Sequence, residues 1–166
     1  MTDEINEMLI AISDEFRLKF NGDEDDNSPI KVVVANNKES VLTNSLPLIV
    51  IQDLGADEDV RFLGDQTHSG RGKILAHRFQ CDIYIDDASV WAGETAYREA
   101  SLLRYMLTKA SETIEQMGQG LMVAFSGVDF CVVDVNNQSF TDISFVEEDR
   151  LYHGVADINV TYIKNW

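Results

Sequence analysis

Residues 74–86, with the sequence ILAHRFQCDIYID, alternate between apolar and polar side chains with the period of a β-strand. Because successive side chains of a strand point to opposite faces, this stretch predicts a long, half-buried strand. The buried face is expected to carry Leu75, His77, Phe79, Cys81, Ile83 and Ile85, and the other face Arg78, Gln80, Asp82 and Asp86. Such a strand needs partners on its edges and a covering layer on its apolar face.

Two amphipathic helices supply that covering layer. Apolar spacing predicts a first helix over residues 3–20, with Thr2 as its N-cap and Asn21-Gly22 at its end. A second helix is predicted from about Glu94 to Met117, with GQG at 118–120 ending it. The apolar stripes are Ile5, Met8, Leu9, Ile12, Phe16 and Phe20 in the first helix, and Ala96, Ala100, Leu103, Leu107, Ala110, Ile114 and Met117 in the second.

Further strands are predicted on both sides of the second helix. They cover residues 30–35 and 46–52 before it, and 127–135, 142–149 and 151–164 after it. Pro47 has no amide hydrogen and is expected at a strand start or a sheet edge. Most connections are too short for a parallel crossover. We therefore expect an α+β fold in the order α-β-β-β-α-β-β-β, with a mostly antiparallel sheet and both helices on one face.

The length of 166 residues fits one domain, and we expect a single α+β domain with a long polar loop at about residues 53–73. The opening sequence MTDEINEMLIAISDEF lacks the basic segment of a secretory signal, and no apolar stretch is long enough to span a bilayer. We expect a soluble protein made in a cytoplasm. Cys81 and Cys131 stand apart in strand-like runs, which favours reduced thiols over a disulfide or a metal site.

The segment GDQTHSGRGKIL, residues 64–75, is similar in composition to a phosphate-binding loop. A Walker loop needs the spacing G-x-x-x-x-G-K-[ST] between a strand and a helix. Here the glycine after Gly64 is Gly70, the next residue is Arg71, and a strand pattern follows Lys73. Both the spacing and the context argue against a nucleotide site.

Other reactive residue types also lack a functional spacing. His68, His77 and His153 form no H-x-x-x-H pair, and Ser126 lacks the first glycine of a nucleophile elbow. No pattern indicates a metal site, a cofactor or a catalytic group. We therefore expect a protein that is not an enzyme and that uses no cofactor.

The chain is strongly acidic. It has 13 basic and 29 acidic residues, so its formal net charge is 13 − 29 = −16. This balance argues against a protein that binds nucleic acid through its phosphates, but it is compatible with one that nucleic acid slides past.

The order of elements, with the apolar run LPLIVIQDLG and the closing strand HGVADINVTYIK, resembles the tail terminator (tail completion) proteins of tailed bacteriophages. The resemblance covers most of the chain and depends on no short motif. It implies an α+β subunit that forms a homohexameric ring, caps the tail tube protein, ends tube polymerisation and offers a surface to the head-tail connector or stopper protein. This chain is longer than a minimal member of the family, and the excess falls at residues 53–73.

The same resemblance implies a virion protein of the phage tail or neck that assembles in the host cytoplasm. In contractile tails, members of the family also contact the sheath protein. The acidic balance would suit a ring through which DNA passes without specific binding. No membrane partner is implied.

Within the polar stretch, a locally basic tip offers candidate partner-interface residues, namely Asp65, His68, Arg71 and Lys73. A solvated loop that needs glycine to turn is the alternative for this segment. For the whole chain, the alternatives are another ring-forming virion component, such as a head-tail stopper, an adaptor or a tube-like protein, and a small ligand-binding domain or enzyme.

Overall fold

The computed structural model describes residues 3–26, 29–34, 46–62, 72–86, 88–91, 93–95, 97–124, 130–137, 144–146 and 151–165. Its helices are α1 (Asp3–Asn21) and α2 (Tyr97–Ala124). Its strands are β1 (Lys31–Val34), β2 (Leu48–Phe62), β3 (Gly72–Ile85), β4 (Val90–Trp91), β5 (Glu94–Thr95), β6 (Phe130–Asn136), β7 (Ser144–Val146) and β8 (Leu151–Asn165). The predicted α+β class and element order are confirmed, with the short β4–β5 hairpin as an addition.

The main sheet has the strand order β1-β2-β3-β8-β6, and β7 also pairs with β8. All of its pairs are antiparallel except β1 with β2, which run parallel. Residues 35–47 connect β1 to β2, and that length meets the requirement of about a dozen residues for a parallel crossover. β6 and β7 pair with different parts of the same edge of β8, at residues 159–164 and 151–153.

Both helices pack on the same face of the sheet. α1 lies against β1, β2 and α2, and α2 lies against β3, β6 and β8. The side chains that meet there include Phe16 of α1, Phe79 of β3 and Ile158 of β8, all fully buried. The alternation predicted for 74–86 is therefore confirmed, since Phe79, Cys81 and the two isoleucines that follow at odd positions are in this core.

The second helix ends later than the sequence predicts. It continues through GQG at 118–120 to Ala124. Each glycine inside a helix costs about 1 kcal/mol relative to alanine. Leu121, only 1% exposed, joins the core just after the glycines. Burying such a side chain contributes about 1.5–3 kcal/mol, which offsets the glycine cost.

The polar stretch at 53–73 is largely strand where the structure describes it. β2 continues to Phe62 and β3 begins at Gly72, so the connection narrows to residues 63–71, which lie outside the described residues. Pairing with β3 satisfies backbone groups on one edge of β2 whatever the polarity of its side chains. The ladder is irregular between Asp53 and Gly55, where Gly55 has a φ of 98° that favours glycine.

Other predicted boundaries shift by a few residues. The strand expected at 142–149 is observed at Ser144–Val146, and the one expected at 127–135 is observed at Phe130–Asn136. Pro47 immediately precedes β2, as expected at a strand start. The proposed N-cap Thr2 lies outside the described residues.

Candidate functional site

The candidate interface residues fall at the β2–β3 connection. Asp65, His68 and Arg71 lie outside the described residues. Lys73 is the second residue of β3, and its backbone pairs with Phe62 of β2 on one side and Lys164 of β8 on the other. Of the four candidates, the structure therefore places Lys73 alone, at the end of the sheet where β3 begins.

A polar cluster lies on the face of the sheet that the helices leave uncovered. Its centre is Asp82 of β3, whose side chain is only 2% exposed. Gln80 donates from Nε2 to both carboxylate oxygens, at 2.9 and 3.0 Å. Gln52 of β2 also donates to Oδ2 of Asp82. Nε2 of His153, on β8, is 2.8 Å from Oδ1 of Asp82. One buried carboxylate thus joins three adjacent strands.

An aromatic side chain covers part of this cluster. The ring of Tyr84 stacks on His153, with the ring centroids 4.4 Å apart and the planes 1° from parallel. Burial, and secondarily the negative charge of Asp82, raises the pKa of Tyr84 to about 12. Tyr84 therefore keeps its proton over the whole physiological range.

Cys81 lies on the opposite face of β3 from Asp82 and is fully buried. The thiol is free, as predicted for this residue. Burial, with a smaller contribution from Asp82, raises its pKa well above the ordinary value. A thiolate is the reactive form of cysteine, so this environment makes Cys81 a packing residue and not a nucleophile. Cys131 lies in β6.

A second histidine-carboxylate pair lies further along the sheet. Nε2 of His77 is 2.5 Å from Oδ1 of Asp53, and the His77 side chain is 6% exposed. The same carboxylate oxygen accepts a hydrogen bond of 2.7 Å from the backbone N–H of Gly55, at the ladder irregularity. Nδ1 of His77 is buried and makes no hydrogen bond with the residues that the structure describes. The pair stabilises the point at which β2 changes register.

The β4–β5 hairpin is attached to both helices by aromatic side chains. Nε1 of Trp91 donates to the carbonyl of Phe20 at 3.2 Å, and the two rings are 4.9 Å apart. The ring centroids of Trp91 and Tyr105 of α2 are 5.4 Å apart. Val90 and Tyr105 are exposed at this place, at 55% and 44%. The hairpin therefore fixes the end of α1 against the beginning of α2.

Sequence reasoning assigned Asp82 to the correct face and missed its burial. The alternation of β3 places this residue opposite the core, where the usual expectation is contact with solvent. Its partners Gln52 and His153 are 30 and 71 positions away in the chain. No local signal marks such a cluster, because strand register brings its members together.

Within the described part of the chain, no three histidine, cysteine or acidic residues are grouped as metal ligands would be. Among the same residues, no helix has the length and apolar character needed to cross a membrane.

Comparison with known proteins gives little similarity. No protein-family model matches the chain, and no curated protein matches it. Among solved structures, a chain from "Virion of native gene transfer agent (GTA) particle" is similar with a TM-score of 0.37 and 14% sequence identity, over 81% of this chain and 78% of that one. A similarity of this strength supports no argument about fold or function.

Proposed function

We propose that this protein is a structural subunit of a phage-like virion and acts as a tail terminator. In this role a homohexameric ring caps the tail tube, ends its polymerisation and offers a surface to the head-tail connector or stopper. The protein has no catalytic role and needs no cofactor. The observation that carries the proposal is the order of helices and strands. The resemblance to tail terminators depends on that order, and the structure has it.

Two properties of the described residues support a structural role. The carboxylates of Asp82 and Asp53 accept hydrogen bonds or pair with side chains of neighbouring strands. The buried thiol of Cys81 is in an environment that favours its unreactive form. These groups stabilise a stiff sheet, which suits a subunit that transmits contacts between rings.

The net charge of −16 supports the proposed position in a DNA-conducting ring. Phosphate binding requires clustered basic groups, and like charge instead lets DNA pass without being held. The proposal therefore includes passage of DNA through the ring with no specific contact. It places the protein in the virion, at the tail or neck.

The experiment that tests the proposal is assembly with the tube protein of the same phage. We expect native mass measurement to show hexamers, alone or on addition of tube protein, and electron microscopy to show these rings at tube ends. Adding the protein should also shorten tubes in proportion to its concentration. Monomers under both conditions would overturn the proposal. Open-ended polymerisation of the protein itself would favour a tube-like protein instead.

A further inference from the structure

Two strand edges of the main sheet lack a neighbouring strand within the described residues. β1 covers only residues 48–51 of β2, so the outer edge of β2 from Gln52 to Phe62 has no described partner. At the other side of the sheet, β6 is the terminal strand beside β8. Unpaired backbone N–H and C=O groups on such edges are a template for pairing with another chain.

These two edges belong to the same part of the sheet. The backbone register places Phe62, Lys73, Lys164 and Phe130 in one row across β2, β3, β8 and β6. A second row contains Asp57, Ala76, Thr161 and Asp134. Residues 55–62 of β2 and the whole of β6 therefore lie across the same part of β3 and β8, on opposite sides of a four-stranded unit. Each of the two segments contains one ladder irregularity, between Asp57 and Arg61 in β2 and between Val132 and Asp134 in β6.

The strand directions make the two edges complementary. Each of the pairs β2–β3, β3–β8 and β8–β6 is antiparallel, so β2 and β6 run in opposite directions. If two copies are placed side by side in the same orientation, β2 of one meets β6 of the other as an antiparallel pair. Antiparallel pairing is the more stable arrangement per residue.

We propose that copies of this chain associate edge to edge, with β2 of one copy pairing with β6 of the next. This inference rests on the proposed ring, and it names the surface that forms it. The contact is heterologous, because two different edges meet, and repetition of such a contact closes a ring when the rotation per copy allows it. A second copy fits better than a different protein, since one repeated contact satisfies both edges of every copy.

Disulfide crosslinking tests this pairing with the native Cys131 of β6 as a probe. Arg61 of β2 lies in the same row as Cys131, across Ile74 and Ile163. Within one chain the two edge strands are three strand spacings apart, about 14 Å. A disulfide needs Cα atoms within about 7 Å, so a bond between these edges forms only between copies.

The experiment places single cysteines at each of positions 57–62, R61C among them, and oxidises the assembled protein. Ring closure shifts the register between β2 of one copy and β6 of the next by an amount that the structure of one chain does not determine. All six cysteine positions are therefore tested. We expect at least one variant to give a covalent ladder of dimers and larger species on a non-reducing gel. The ladder should be lost in the same variant carrying C131S. A cysteine at exposed Glu115 on α2 is the matched control and should give no ladder.

The outcomes separate this inference from the proposed function. Rings in the native mass spectrum with no ladder from any of the six positions would overturn edge pairing and leave the ring standing. A bond from position 57–62 to Cys131 within a monomer would also overturn it. Absence of both rings and ladders, alone and with tube protein, would overturn the two proposals together.

Discussion

Asp82 is the central residue of the polar cluster on the face of the sheet opposite the helices. Its carboxylate is buried and is hydrogen-bonded by side chains from β2, β3 and β8. A buried acceptor of this kind stabilises the fold most when every donor remains bound to it. A buried donor that loses its partner destabilises the fold by its full desolvation cost. Its neighbour Tyr84 is half-buried on the same face of β3.

Asp82→Asn should lower the free energy of unfolding by about 1–3 kcal/mol, since an amide replaces one of the two accepting oxygens with a donor. Chemical denaturation with a constant m-value would measure the change. Asp134→Asn is the matched control. Asp134 also accepts a side-chain hydrogen bond, from Asn136, but it is exposed and should change stability little. Equal effects of the two substitutions would contradict the role given to Asp82.

The raised pKa of Tyr84 predicts a loss of stability at high pH. The folded-state value is about 12, against an ordinary value of 10.0, so between these values the folded protein holds a proton that the unfolded chain releases. Stability should therefore fall as the pH rises from about 10 to about 12. Tyr84→Phe should reduce this fall in stability between pH 10 and 12. In an ultraviolet titration it should also remove a phenol that ionises above the ordinary tyrosine pKa. An unchanged slope in Y84F would contradict the prediction.

At the scale of elements, the helix layer and the sheet meet through close contacts that leave no room for added atoms. Gly154 of β8 is an example, because a Cβ built there would lie 2.8 Å from Cδ1 of Leu107 on α2. Leu107 is itself buried in the core, so it has limited freedom to move away.

Gly154→Ala should destabilise the protein by about 1–3 kcal/mol, as overpacking does in a dense core. Leu107→Ala alone should also destabilise it, by about 2–5 kcal/mol, through the cavity it leaves. Because the new methyl group occupies part of that cavity, the double variant should lose less than the sum of the two. Strict additivity in a denaturation cycle would show that the two residues are not in contact.

For the molecule as a whole, net charge affects how strongly copies associate. Each chain carries a net charge of −16, so copies in a ring repel one another. Salt at about 0.15 M limits such repulsion to roughly 8 Å. Assembly should therefore strengthen as ionic strength rises from low values, which analytical ultracentrifugation at a series of salt concentrations would measure. Rings that weaken with added salt would contradict this and indicate attraction between opposite charges.

The basic tip is the candidate contact of the whole molecule with a partner ring. Removing residues 64–71 leaves β2 and β3 with their described bounds, so the shortened protein should remain folded. Loss of Asp65, His68 and Arg71 should abolish capping of tubes if these residues contact a partner. Circular dichroism checks the fold, and tube length in micrographs checks capping. Normal capping by the deletion variant would contradict a partner contact and support the alternative, in which this segment is a solvated loop.

The sequence by itself determined the local structure and which face of each element is apolar. The period of two in β3 and the stripes of α1 and α2 predicted the helices, the core and the α+β order, because periodicity is a local property. The charge and the absence of reactive spacings also followed from the sequence. The ends of elements did not, since burial of Leu121 extends α2 through its glycines and pairing with β3 extends β2 into an acidic stretch.

Only the tertiary structure decided which residues from distant positions meet. The partners of Asp82 come from three strands, and their meeting depends on register, which a single sequence does not state. The overlap of residues 55–62 of β2 with β6 across the sheet has the same origin, because strand order places β3 and β8 between these two strands. Local patterns fix what each segment can form, whereas pairing between segments fixes which surfaces remain for partners.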